Sequence, residues 1–150
     1  MNNKNQIVVA VSGGFDPVHI GHIRMFKEAK ALGDKLVVIM NNDNWLKTKK
    51  GYCVMYEKQR AEILESIRYV DEVVITNHKV DDPDRSVCEA LRELNPDIFA
   101  NGGDRFADNI PEFKLCKGLD IELVFNVGGG KLNSSSKIYE DWRNNEKSNH

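Results

Sequence analysis

The chain has 150 residues, of which 41% are hydrophobic and 29% are charged, and its formal net charge is −2. This length suits one domain with a buried core, and the charge gives no support to nucleic acid as a partner. No apolar run approaches the roughly 20 residues that span a bilayer, so we expect no membrane-spanning helix. We predict a single domain over residues 1–150, with a core from about 6 to 140 and a polar tail from about 143 to 150.

Cysteine usage and the amino terminus indicate the compartment. Cys53, Cys88 and Cys116 are widely spaced and form no C-x-x-C pair. An odd number of cysteines fits a disulfide framework poorly, and free thiols are typical of a reducing cytoplasm. The first residues, MNNKNQ, lack the apolar segment of a signal peptide. We therefore expect a cytoplasmic protein.

Apolar runs alternate with helical patterns along the chain. Continuous apolar runs, typical of strands covered on both faces, lie at 6–11, 35–40, 72–76, 98–100 and 121–127. Helical spacing of apolar residues occurs at 18–32, 57–70 and 87–94, more weakly at 111–117, and a last short helix is expected within 134–142. The alternation predicts an α/β fold, a doubly wound, Rossmann-like parallel sheet of five strands with helices on both faces.

Four polar or glycine-rich segments follow predicted strands, namely SGGFDPVHIGH, NNDNW, NGGDR and GGGKLNSSS. Open parallel sheets bind their ligands at the carboxyl ends of the strands, so these segments predict one site on that edge. The lysines after NNDNW are expected to lie in a charged loop on the same edge.

The segment after the first strand has the chemistry of an anion site. Gly13 and Gly14 allow a ligand to approach the backbone closely, and Pro17 suits the start of a helix. A helix amino terminus favours anions, and His19 and His22, three residues apart, share one helix face with Gly21 between them. Two histidines without a third ligand make a poor zinc site. Spacing alone leaves phosphate binding and simple helix capping equally open.

Residues 13–22, GGFDPVHIGH, match the H-x-G-H signature, in the wider form G-x-F-D-x-x-H-x-G-H, of the cytidylyltransferase-like nucleotidyltransferases. KKGYCVM and IRYVDEVV resemble segments of glycerol-3-phosphate and choline-phosphate cytidylyltransferases, and PDIFANGGD is similar to a segment of heptose-phosphate adenylyltransferases. SSSKI resembles the terminal motif of the family. The resemblance covers residues 7–138, in order and spacing.

The resemblance implies a reaction between a nucleoside triphosphate and a small phosphorylated acceptor, with release of pyrophosphate. By resemblance, His19 and His22 stabilise the transition state, and Lys47 and Lys50 hold the phosphates. Mg²⁺ would arrive with the nucleotide, with Asp16 as a candidate protein contact. The implied nucleotide-binding residues are Gly13, Gly14, Phe15, Asp16, Gly21, Gly103, Asp104, Ser134, Ser135 and Ser136.

Two further residues match family positions, and each of them has two alternative interpretations. Asp43 resembles an acid that shapes the acceptor pocket, although a turn in NNDN needs no such role. Arg60 matches an arginine that either contacts substrate or has a structural role. The chain also departs from the family, which usually carries an arginine in R-x-x-G-I before the terminal motif. Here that stretch reads GGGKLN, and Lys131 is the candidate replacement.

Three functions follow from the resemblance. KKGY and RYVDEVV favour transfer of CMP from CTP to a small phosphorylated alcohol such as glycerol 3-phosphate. NGGD and the missing arginine favour transfer of AMP from ATP to a sugar phosphate. A nucleotide-binding regulatory protein without turnover is the third. We expect neither nucleic acid nor membrane as a partner, and the resemblance adds a homodimer as a candidate assembly.

Overall fold

The computed structural model describes residues 6–102, 111–128 and 141–145. Five strands form one parallel sheet: β1 (Val8–Gly13), β2 (Lys35–Met40), β3 (Glu72–Ile75), β4 (Ile98–Ala100) and β5 (Glu122–Val124). The helices are α1 (Ile20–Ala31), α2 (Asp43–Lys50), α3 (Glu57–Glu65), α4 (Cys88–Leu94) and α5 (Pro111–Gly118). The strand order β3-β2-β1-β4-β5 confirms the doubly wound α/β fold. The order reverses between β1 and β4, where sheets of this kind bind ligands.

The core consists of two clusters, one on each face of the sheet. Successive side chains of a buried strand point to opposite faces, so Val9 joins one cluster and Ala10 the other. Phe26 of α1 and Leu64 of α3 belong to the first cluster, while Leu91 of α4 belongs to the second. Helices α1 and α3 therefore cover one face, and α4 and α5 cover the other.

Three aspartates close the amino edge of the sheet. Asp34, Asp71 and Asp97 each directly precede a strand, and the Oδ2 atom of each accepts a backbone N–H from a neighbouring strand segment. The donors are Ile7 for Asp34 at 2.7 Å, Leu36 for Asp71 at 2.8 Å and Val8 for Asp97 at 2.8 Å. These carboxylates satisfy donors that the parallel ladders leave unpaired.

The lysine segment differs from its prediction as a loop, because residues 43–50 form α2. The Asn42 side chain caps this helix by accepting the backbone N–H of Trp45 at 3.0 Å, and Gly51 ends it with a φ of 82°. Both are ordinary helix-end signals. Leu46 is its one buried residue, so the apolar periodicity that reveals most helices is missing.

Element boundaries differ elsewhere by a few residues. Helix α1 begins at Ile20 with His19 as its N-cap, so Pro17 lies before the helix rather than in its first turn. Residues 141–145 are helical, whereas the rest of the predicted last helix lies outside the described residues. Within the described ranges, every helix is too short or too polar to cross a membrane.

Candidate active site

The first turn of α1 holds the histidine pair in a reciprocal cap. Nδ1 of His19 accepts the backbone N–H of Gly21 at 3.1 Å, and Nδ1 of His22 accepts the backbone N–H of His19 at 3.2 Å. The two rings stack, with centroids 3.8 Å apart. Since each Nδ1 acts as an acceptor, a neutral ring carries its proton on Nε2. Capping and phosphate binding are therefore compatible, because they use different ring nitrogens.

His22 is held in its neutral form. Burial, the neighbouring His19 and the charge of Lys50 together lower the pKa of His22 to about 3. Its ring packs edge-on against Phe15, with centroids 4.9 Å apart. At neutral pH, His22 is thus an uncharged hydrogen-bond donor at a helix amino terminus.

The glycines of the motif make room for side chains. A Cβ on Gly13 would lie 2.9 Å from the Phe15 ring, and one on Gly14 would lie 2.9 Å from Leu46. On Gly21, it would lie 2.9 Å from the His19 ring. The positive φ of this turn, 53°, belongs to Phe15 and not to a glycine. A larger residue at position 21 would therefore displace the His19 imidazole.

Asp16 joins the turn after β1 to the segment that follows α2. The residue is 1% exposed, and its two carboxylate oxygens accept the backbone N–H groups of Val54 and Met55, each at 2.6 Å. A contact from Asp16 to Mg²⁺ stays a prediction. Among the described residues, no group of three or more His, Cys, Asp or Glu side chains could hold a metal ion.

Arg60 is buried in the protein and joins three segments. It has no exposed surface, and its Nη1 donates to the carbonyl oxygens of Gly14 at 2.7 Å and Asn41 at 2.6 Å. Its Nε donates to the carbonyl oxygen of Met55 at 2.8 Å, and its Nη2 contacts Asp43 Oδ1 at 2.7 Å. These bonds give Arg60 a structural role that the sequence had left open.

Asp43 faces this arginine rather than open solvent. Burial would raise the pKa of Asp43, but hydrogen bonds from Arg60 and Cys53 outweigh it and hold the pKa below its ordinary value. The Cys53 thiol donates to Asp43 Oδ1 at 3.2 Å. Burial and this hydrogen bond raise the pKa of Cys53 to about 11. At neutral pH the thiol therefore stays protonated.

The three lysines of α2 have different surroundings. Lys50 is half-buried, and its charge contributes to the low pKa of His22. Burial lowers the pKa of Lys50, Asp16 raises it and Arg60 lowers it, with a net decrease. Lys47 and Lys49 are exposed, and Lys49 lies 4.6 Å from the centre of the Trp45 ring. The structure thus brings Lys50 to the histidine pair.

The remaining predicted nucleotide contacts are Gly103, Asp104, Ser134, Ser135 and Ser136, which lie outside the described residues, as does Lys131. Their roles stay predictions. The neighbouring described residues pack against the histidine helix. A Cβ on Gly102 would lie 3.1 Å from Met25 Sδ, and one on Gly128 would lie 3.1 Å from the Met25 backbone.

Sequence reasoning missed a polar contact between the β3–α4 connection and α2. His78 is buried, with Nε2 2.9 Å from the carbonyl oxygen of Ser86 and Nδ1 2.8 Å from Thr76 Oγ1. The amides of Asn42 and Asn44 both donate to the backbone oxygen of His78. The asparagines of NNDN were the available signal, since short polar side chains often bond to nearby backbone.

The chain is similar to known proteins over most of its length. Residues 10–138 match the family model described as cytidylyltransferase-like. The chain is 39% identical over 127 residues to the FAD synthase of Pyrococcus abyssi, covering 83% of this chain and 82% of the relative. It is 43% identical over 129 residues to the FAD synthase of Thermococcus sibiricus, with the same coverage.

A solved structure shares the fold. The lipopolysaccharide core biosynthesis protein of Thermoplasma volcanium is 27% identical and superimposes with a TM-score of 0.67, covering 81% of this chain and 96% of that one. The family match spans both histidines, α2 and the buried Arg60. The chain therefore belongs to the cytidylyltransferase-like family, and it is a nucleotidyltransferase.

Proposed function

We propose that the protein transfers the adenylyl group of ATP to the phosphate of FMN, forming FAD and pyrophosphate. A phosphate oxygen of FMN attacks the α-phosphorus of ATP. The bond from that phosphorus to the oxygen bridging to the β-phosphate breaks, and pyrophosphate leaves with the electron pair. The FAD synthases that the chain resembles over most of both lengths support this choice.

The stacked histidine pair is the observation that carries the proposal. Negative charge on the non-bridging phosphate oxygens needs donors that are already in place when the phosphorus is attacked. The Nε2–H groups of His19 and His22 can donate to these oxygens while each Nδ1 remains in the cap. The amino terminus of α1 adds its own preference for anions.

Lys50 supplies positive charge next to the pair. Asp16 and Arg60 act through the backbone, since they fix the turn after β1 against the segment after α2. This rigidity keeps histidines and lysine at constant separation, which phosphoryl transfer requires more than a protein nucleophile. Mg²⁺ bound to the nucleotide would neutralise the leaving pyrophosphate, with Asp16 as its candidate protein contact.

The relatives support ATP and FMN over the pair that the sequence motifs favoured, CTP and glycerol 3-phosphate. KKGY and RYVDEVV keep CMP transfer to glycerol 3-phosphate as a second candidate. PDIFANGGD keeps AMP transfer to a sugar phosphate as a third.

The test is pyrophosphate release by the purified chain with Mg²⁺ and either ATP or CTP. Each nucleotide is paired with FMN, glycerol 3-phosphate or a sugar 1-phosphate, and products are separated by chromatography. We expect FAD and pyrophosphate in equal amounts from ATP and FMN. Riboflavin is the matched control, because it lacks the attacking phosphate.

Turnover with another acceptor but none with FMN would replace the proposed substrate. Nucleotide binding without pyrophosphate release from any pair would favour a regulatory protein. Either outcome leaves the fold and the family unchanged.

A further inference from the structure

Asn41, directly after β2, has a buried side-chain oxygen without a partner. The residue is 4% exposed, and within the described part of the chain its Oδ1 accepts no hydrogen bond. Its backbone is satisfied, since the N–H donates to Gly13 at 2.9 Å and the carbonyl accepts from Arg60 at 2.6 Å. Buried polar atoms are nearly always paired, so an exception of this kind points to a missing partner.

The sheet register places Asn41 on the face opposite the histidine helix. The backbone bond from Asn41 to Gly13 continues the β1–β2 ladder, so strand alternation holds to this residue. Ile39, two residues earlier, packs in the cluster covered by α4 and α5. Phe26 of α1 packs in the other cluster.

Two more polar residues follow the same alternation. Ser12 pairs in register with Ile39, and Asn101 lies two residues beyond Phe99 of the same cluster. Ser12, Asn41 and Asn101 therefore lie at the carboxyl edge on one face, above an apolar cluster. This polar layer is separate from the first turn of α1, where the triphosphate is proposed to bind.

Building on the proposed function, we propose that Asn41 recognises the imide edge of the flavin ring of FMN. An unpaired oxygen needs a donor, and in FMN only the ribityl hydroxyl groups and the imide N–H can donate. The imide alone sets its donor beside carbonyl acceptors, which matches the oxygen and the NH2 group of an asparagine side chain. The imide offers an N–H between two carbonyl groups. Its N–H donates to Asn41 Oδ1, and the Asn41 amide donates to an adjoining carbonyl, so one planar side chain reads the ring by two hydrogen bonds.

Asn41→Leu tests this role, because leucine has nearly the same size and removes both polar atoms. We expect the KM for FMN to rise about tenfold, as for loss of a buried hydrogen bond, while the KM for ATP changes less than about twofold. The melting temperature should rise, since the unpaired buried oxygen is gone. A residue with only a structural role would not raise stability and the FMN KM together.

Asn77→Leu is the matched control, because Asn77 is exposed and bonds to Glu89 at 3.2 Å. It should leave both KM values unchanged. FMN methylated at the imide nitrogen supplies the second arm. Wild type should bind this analogue about tenfold more weakly than FMN. Asn41→Leu should bind the two equally well, because the imide nitrogen and Asn41 are the coupled partners of a double-mutant cycle.

The binding of lumiflavin, which has the flavin ring without the ribityl phosphate, separates this inference from the proposed function. If ATP and FMN give no pyrophosphate, the proposed function fails. Lumiflavin binding by wild type that weakens about tenfold in Asn41→Leu would still support Asn41 as the ring contact. Absence of lumiflavin binding by wild type, or an Asn41→Leu variant with unchanged affinity for FMN and lumiflavin, would overturn it.

Discussion

The first turn of α1 and the segment from α2 to α3 face the same edge of the sheet, but different kinds of bond hold them. His19 and His22 are fixed by hydrogen bonds between residues two or three positions apart. The segment after α2 is fixed by the side chains of Asp16 and Arg60, whose partners are distant along the chain. The bond from Val54 to Asp16 spans 38 positions, and the bond from Arg60 to Gly14 spans 46. The proposed transition-state donors are thus positioned locally, while the frame around them depends on a buried network.

The buried network should be the more costly part to break. Arg60→Met leaves Asp43 without its cation and the carbonyl oxygens of Gly14 and Asn41 without a donor. We expect a loss of about 3–5 kcal/mol in the free energy of unfolding, measured in urea, as for removal of one partner of a buried ion pair. A loss below about 1 kcal/mol would mean that the network does not hold the frame.

The histidine turn should lose activity without losing the fold. Asn at position 19 can still cap α1 through its side-chain oxygen, whereas Ala cannot. We expect His19→Asn and His19→Ala to lower kcat by about 10²-fold or more, as for removal of a transition-state donor. Only His19→Ala should lower the free energy of unfolding, by about 1 kcal/mol. Full turnover in His19→Asn would show that the histidine is only a cap.

Lys50 connects the two regions, and the exposed lysines of the same helix provide controls. Lys50→Met should lower kcat/KM by about 10- to 100-fold, the range for loss of a hydrogen bond to a charged group. Lys47→Met and Lys49→Met should change it by less than about threefold, because both side chains are exposed. The kcat/KM values of the three variants are compared from initial rates of pyrophosphate release. A larger loss in Lys47→Met would assign the phosphates to that residue instead.

The pH dependence of stability should report on His22. Folded His22 stays neutral down to a pKa of about 3, whereas in the unfolded chain it binds a proton near its ordinary pKa of 6.5. The unfolded state therefore holds more protons between these values, and the free energy of unfolding falls as pH decreases through this window. Compared with wild type, His22→Asn should lose about 2 kcal/mol less between pH 7 and pH 5 in urea titrations. Equal losses would mean that His22 is protonated in the folded protein.

The same contrast explains what the sequence could predict. The sequence predicts all five strands and the helices with an apolar stripe, because these features depend on neighbours along the chain. It also predicts that His19 and His22 lie close together, although His19 is the extended N-cap of α1 and not a residue on its face. Helix α2 was missed since Leu46 is its one buried residue, although Asn42 and Gly51 carried its end signals. Arg60 could not be interpreted, because its acceptors are mainly backbone carbonyls that any sequence supplies.

Asp34, Asp71 and Asp97 make the two edges of the sheet unequal in their tolerance of insertions. Each carboxylate reaches its backbone donor only because the strand begins at the next residue. One residue added between an aspartate and its strand would move the carboxylate by about 3.3 Å, beyond hydrogen-bond reach. Residues added to the loops after the strands leave these bonds intact. The amino edge thus fixes the register of the sheet, and the loops after the strands can change in length and composition without altering it.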